Sequence, residues 1–259
     1  MSRSSSSAPP VERGATPRLA AVRAQAIMEL RLLVRSGESL IVTFGIPLGF
    51  LVFFGVVDVL PTGGVDPVRF LVPGVLALSV AATGLVAVAI QTAFERKYGV
   101  LKRLGATPLS RRGFLLAKGV AVAILLAVQT VLVVLVATIG LGWRPEGGVV
   151  LAPVLVVLGA GVFTALGLLL AGTLRAEATL AGSNALFIVL LVISGVTFDA
   201  GALPDALAAV GAALPVGALG TALRAALAGD GLHLVSTASL LVWGGLALAA
   251  AGRWFRWEP

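Results

Sequence analysis

The sequence predicts an all-α integral membrane protein. It has six transmembrane helices, an N-terminal amphipathic helix at the membrane interface, and a re-entrant helical pair between spans five and six. Three observations carry this. Hydrophobic residues make up 58% of the 259-residue chain and charged residues only 12%, against about 45–50% and about 25% in a soluble domain. The apolar residues come in runs close to the ~20 that a hydrocarbon core requires, and they lack the alternation of barrel strands. Basic residues fall almost wholly in every second gap between those runs.

Residues 1–17 read as a disordered cytoplasmic tail, since the Ser/Pro tract Ser2–Pro10 has almost nothing to bury. A membrane domain over 18–257 follows. From Arg18 to Arg35, Leu19, Val22, Ala26, Leu30 and Leu33 recur at spacings of three and four. Arg18, Gln25 and Glu29 fall off that stripe, and Arg23 and Arg31 flank it. This pattern predicts an interfacial helix; the plainer alternative is a polar leader to the first span. The spans are predicted at about 40–57, 70–92, 114–139, 149–171, 182–198 and 234–252. Pro47 interrupts the first, and Pro73 sits in the opening turn of the second.

Residues 199–233 divide differently. Pro204, Asp205, Pro215 and Arg224 interrupt an otherwise apolar stretch. A seventh span would carry Pro215 in mid-helix and Arg224 near one end. Two short helices, near 204–213 and 216–228, fit that punctuation better as a re-entrant pair shielded by protein.

Six spans place 16 Lys/Arg on the side of both termini and leave only Arg69, Arg144 and Arg224 on the other. The positive-inside rule makes the first side cytoplasmic in a multi-pass protein of the cell membrane. The net charge of +7 is explained by this bias, so no nucleic-acid partner is expected. Trp254, Phe255 and Trp257 read as an anchor at the inner interface.

Several functions are disfavoured. With no cysteine, thiolate catalysis and Cys-based metal sites are excluded. The single histidine, His233, lies at a membrane edge without a partner motif, so no metal or catalytic site is expected. No TVGYG-like filter occurs, and no span carries the midplane ionisable site of an ion-coupled transporter. Intramembrane polar residues such as Gln129, Thr130, Thr164 and Ser194 suit either interhelical hydrogen bonds or a weakly polar path.

The most informative segment is Gln91–Gly119. Glu95, Arg96, Lys97, Lys102, Arg103, Arg111 and Arg112 surround a small apolar set, Val100, Leu101, Leu104 and Leu109. Thr107–Pro108 breaks the helix, because the residue before proline is driven from the helical region. A short amphipathic helix between two spans is suited to docking a soluble partner, its apolar face making contact and its basic rim orienting it. A simple charge-retention loop is the bland alternative.

This segment resembles the cytoplasmic loop of ABC-2 type transporter permeases. The likeness lies in Glu95–Arg96–Lys97, Gly99–Val100–Leu101–Lys102, Leu104, Thr107–Pro108–Leu109–Ser110 and Ala117–Lys118. An amphipathic helix before six spans, with a re-entrant pair before the last, matches that family too. Pro204 and Pro215 fit its proline-punctuated outer region, and Arg224 fits the basic residue late in it. The resemblance implies an exporter permease of the type V kind, working with two copies of a cytoplasmic ATPase. It also implies a permease homodimer, or a heterodimer with a related chain. Val100, Leu101, Lys102, Arg103, Leu104, Thr107, Pro108 and Leu109 then form the coupling helix. Glu95, with Arg111 or Arg112 as partner, transmits its motion. The chain holds no GxxxxGK[ST] loop, so it is expected to bind no cofactor itself, and ATP and Mg belong to the partner. The expected cargo is an amphipathic or apolar compound, a drug or antibiotic first and a lipid or polysaccharide next. A non-transport scaffold or a channel are the readings of a different class.

Overall fold

The computed structural model describes residues 18–35, 41–57, 64–105, 109–197 and 204–255. Every regular element among them is helical. In chain order, α1 is Arg18–Arg35, and a π-helical turn, Ile41–Gly45, leads into α2, Ile46–Val56. The long α3 spans Pro67–Lys97, with a π turn at Ala82–Ala87. The short α4 is Val100–Gly105, and α5 is Arg111–Leu135, ending in a π turn at Val136–Gly140. After these come α6 (Leu151–Thr173), α7 (Ala176–Ile193), α8 (Asp205–Ala213), α9 (Pro215–Leu227) and α10 (Leu234–Trp254).

Among the described residues, five helices, α3, α5, α6, α7 and α10, are long and apolar enough to cross a membrane. The first predicted span is instead a shorter apolar helix, Thr43–Val56, with 36–40 and 58–63 outside the described residues. α8 and α9 form the expected broken pair, bent by 83°. Pro215 starts α9 at a position where its missing N–H costs nothing. Gly217 lets the pair close, since a Cβ there would strike the Gly211 backbone, and Gly211 lets it seat on α7, where a Cβ would strike the Ile193 carbonyl.

The helices overrun their predicted ends where caps and charges extend them. α3 starts three residues before Phe70 because Asp66 accepts a hydrogen bond from the Arg69 N–H (2.9 Å) and Pro67 follows as its first residue. Pro73 therefore lies inside the helix rather than in its opening turn. At its other end α3 continues past Thr92 to Lys97, so Glu95 belongs to the span's last turn. Ser110 caps α5 through the Gly113 N–H (3.1 Å).

α6 occupies the centre, packed against α3, α5, α9 and α10. The crossing of α3 and α6 is glycine to glycine: a Cβ on Gly167 would sit 2.5 Å from the Gly84 carbonyl oxygen. Gly159 is likewise closed in by Leu219, whereas Gly49 and Gly245 face open space. Gln129 on α5 ties three helices together, donating to the Thr43 carbonyl (2.8 Å) and to Ser79 Oγ (3.0 Å). Thr130 merely bonds its own helix, at Leu126. Outward, α5 presents Leu116, Val120, Ile124, Val128, Val131, Leu135 and Ile139, an unbroken apolar stripe. A water-facing helix would carry polar residues there, so the stripe is a lipid face.

Two interfacial expectations change. Val22, Ala26 and Glu29 turn α1 toward α5, while Leu19, Ile27, Met28 and Leu32 point outward. Phe255 is buried against Phe114 and α6 rather than lying in an interface, whereas Trp254 is exposed. Trp257 lies outside the described residues. His233 caps α10, accepting from the Ser236 N–H (3.3 Å).

Candidate functional site

The last turns of α3, the middle of α1 and the third turn of α5 meet at one point, and all three bring charge to it. Lys118 reaches it from α5, buried at 3% exposure by the apolar run on either side. Its ammonium lies 2.9 Å from Glu29 Oε2 on α1 and 3.1 Å from Glu95 Oε1 on α3. Gln91, one turn before Glu95, donates to both carboxylates, at 3.0 Å to Glu29 and 2.9 Å to Glu95. Gln25, one turn before Glu29, donates to its other oxygen (2.8 Å).

The spacing accounts for the arrangement. Gln25/Glu29 and Gln91/Glu95 are each four residues apart, so each amide rides directly over its carboxylate on one helix face. Lys118 also lies 5.4 Å from the Phe114 ring centroid. A cavity of about 20 Å³ opens beside Glu29, Gln91, Lys118 and Thr83, room for about one water molecule. Two carboxylates share one ammonium out of bulk water. Their attraction is therefore far stronger than between exposed groups, and so is the penalty for removing one member. Chemically the cluster is a clasp: it locks α1, α3 and α5 together but offers no nucleophile or free general base.

The neighbouring residues anchor the same end. Arg96 donates to the Leu174 carbonyl, and Lys97 pairs with Glu177 at the start of α7. Immediately after α3, Gly99 adopts a φ of 72°, a conformation that suits glycine, and reverses the chain into α4. In α4, Leu101 is fully buried and joined to the core with Leu109, and Leu104 packs against it from the edge. The exposed face of α4 is Val100, Lys102 and Arg103, with Tyr98 beside it. This corrects the expectation that Leu101 and Leu104 form the outward contact: three leucines secure the loop helix to the bundle, and its charges face away. Thr107 and Pro108 lie outside the described residues, as do the side chains of Arg111 and Arg112, which stand in the first turn of α5. The partner of Glu95 that the structure gives is Lys118, two turns further on.

Sequence reasoning missed Glu29 and Lys118. The signal for Lys118 was its place inside an apolar run, where a charge needs a partner. For Glu29 it was the spacing of three from Ala26 and seven from Val22, which puts it on their face.

At the opposite end of α3, Arg224 on α9 stacks over Phe70, 4.6 Å from guanidinium to ring centroid. Pro204 and Pro215 begin α8 and α9, the first exposed and the second buried. No group of three metal-ligating side chains occurs among the described residues.

The sequence model of the ABC-2 type transporter family matches residues 21–228, from the first turn of α1 to the end of α9. The chain belongs to that family. This ABC-2 protein is accordingly a membrane permease subunit of an ATP-binding cassette transporter, a family whose permeases generally pair with a cytoplasmic ATPase subunit. The matched region contains both the clasp and Arg224. No curated protein matches the chain.

Proposed function

We propose that this ABC-2 permease exports an amphipathic or apolar compound, a drug or antibiotic, with ATP and Mg held by two copies of a separate ATPase. The permease works as a dimer, either with itself or with a related chain. Both termini and α4 face the cytoplasm; the 16-to-3 division of Lys and Arg supports this orientation. Lys102 and Arg103 orient the ATPase at the exposed face of α4, and Val100 makes the apolar contact. Leu101, Leu104 and Leu109 pass the push inward.

The observation that carries this reading is the buried Glu29–Lys118–Glu95 clasp. It joins the helix that leads into the loop to the helix that leads out, and to α1 beside them. A load on α4 therefore cannot move α3 without α5 and α1. The cargo assignment is supported by spans that offer apolar walls and few polar contacts, which suits an apolar or amphipathic solute over a small ion.

The test is reconstitution with the cognate ATPase in vesicles. ATP-dependent movement of an amphipathic dye toward the face opposite the ATPase is expected. Replacing Lys102 and Arg103 by Glu should abolish ATPase co-purification while membrane insertion persists. Dye movement that ignores ATP would reject the transporter reading in favour of a channel, and ATPase retention in the Glu variant would remove α4 as the dock.

A further inference from the structure

The first span gathers several helix-weakening features within residues 41–49. A π-helical turn runs over Ile41–Gly45, Pro47 follows it, and Gly45 and Gly49 stand on either side of the proline. Proline and π turns are standard causes of helix kinks, and glycine is a poor helix former. Close packing does not account for these glycines. A Cβ on Gly45 would meet only the Ile41 side chain of its own turn, at 3.6 Å, and one on Gly49 would meet nothing within 4 Å. What they supply is a loosened backbone. We propose that residues 41–49 form a hinge in the first span, and that Gln129 on α5 is the positioning residue that latches it.

Pro47 has no N–H, so it cannot serve the Thr43 carbonyl four residues before it. In a membrane such a carbonyl takes its donor from a neighbouring helix. Gln129 supplies that donor: its side-chain amide nitrogen lies 2.8 Å from the Thr43 oxygen. The same nitrogen donates to Ser79 Oγ at 3.0 Å, and Ser79 donates in turn to the Val75 carbonyl at 2.7 Å. A carbonyl only accepts, so the Thr43 contact fixes which end of the amide faces the hinge. Gln129 is 1% exposed, and its amide oxygen has no hydrogen-bond partner among the described residues. The side chain thus serves as a double donor at the expense of its own acceptor. No hydroxyl could replace it, having one proton to give.

Beyond the hinge, α2 is seated by apolar contacts. Leu51 is fully buried, and a Cβ on Gly55 would lie 2.8 Å from the Leu141 side chain and 3.4 Å from that of Val68. Ile46, Val52, Phe53 and Val56 are exposed. Ile46–Val56 contains no polar side chain, so the Thr43–Gln129 bond is the directional contact that holds this span to α5. Apolar contacts fix no angle, whereas a hydrogen bond to one carbonyl does. Gln129 therefore sets the angle at which α2 leaves the hinge, and releasing it frees α2 to swing on its apolar seat.

The hinge belongs to the permease alone, whatever its cargo, and is tested without an ATPase. Amide hydrogen exchange is followed by mass spectrometry on the full-length protein in lipid nanodiscs, with α6 as internal reference. Gln129→Leu should speed exchange over residues 41–57 by about threefold or more, the scale of an interhelical hydrogen bond, and leave α6 unchanged. Pro47→Ala restores the missing N–H and should slow exchange there below wild type. In the Pro47→Ala background Gln129→Leu should have little further effect, a rescue that lost packing would not give. Ser79→Ala spares the Thr43 bond and should leave the segment protected. Pro47→Ala alone decides the matter if Gln129→Leu does not fold: unchanged or faster exchange in it would overturn the hinge. Equal acceleration by Gln129→Leu in both backgrounds, or none in either, would overturn the latch, as would an acceleration by Ser79→Ala as large as that by Gln129→Leu.

Discussion

The two ends of α3 carry the same chemistry in opposite solvents. At one end Glu95 and Glu29 hold Lys118 in a cluster whose ammonium and inner carboxylate are 3% and 4% exposed. At the other, Arg69 and Glu146 form a pair at a similar distance, 2.7 Å, but are 48% and 56% exposed around an open cavity. Helix geometry sets them about 40 Å apart. Distance alone would rank the pairs alike; solvent decides otherwise. The dry cluster cannot exchange a partner without stranding a charge, so it behaves as a fixed joint. The wet pair exchanges with water and ions at little cost. One end of the helix is dry and locked, and the other is wet and free to exchange.

That contrast can be broken by substitution. The largest effect is expected at Lys118→Met, which leaves two carboxylates facing each other out of water; the loss should be about 3–5 kcal/mol, read by denaturation in mixed micelles. Adding Glu29→Gln and Glu95→Gln should recover most of it, and a triple variant as unstable as the single one would show that packing, not charge, is at stake. Between the two ends, Gly167→Ala forces a methyl against the Gly84 carbonyl and should cost about 1–3 kcal/mol in the same assay. Gln129→Leu removes the bonds to Thr43 and Ser79 and should cost about 0.6–2 kcal/mol. The smallest effect is expected at Glu146→Gln, within about 1 kcal/mol of wild type. A loss there equal to that of Lys118→Met would erase the distinction between the ends.

Much of the fold was legible because lipid enforces a simple code: apolar runs for spans, proline punctuation for the α8–α9 pair, basic gaps for one face. What stayed hidden follows from the same code. Counting only apolar residues on α1 set Glu29 apart from the stripe, although a buried helix face includes a paired charge as readily as a leucine. The leucines of α4 were assigned outward because amphipathicity says which residues share a face and is silent on where that face looks. Leu101 shows that it looks inward. Glu95 was given Arg111 or Arg112 as partner from their nearness in the loop, whereas two further turns of α5 bring Lys118 level with it. The cavity at the start of α3 could not be read at all. Arg69, Arg144 and Arg224 lie on three elements, and only tertiary packing gathers them.

The joint is the centre of this account, and coupling measures it most directly. Permease and ATPase are reconstituted together, and dye exported per ATP hydrolysed is compared between wild type and Glu95→Gln. The amide keeps the shape of the side chain and its place beside Gln91 but drops the charge that Lys118 holds. The variant should express, insert and retain the ATPase, while export per ATP falls severalfold. A wild-type ratio in Glu95→Gln would contradict the account, and the cluster would then be only a structural fastening of α1, α3 and α5.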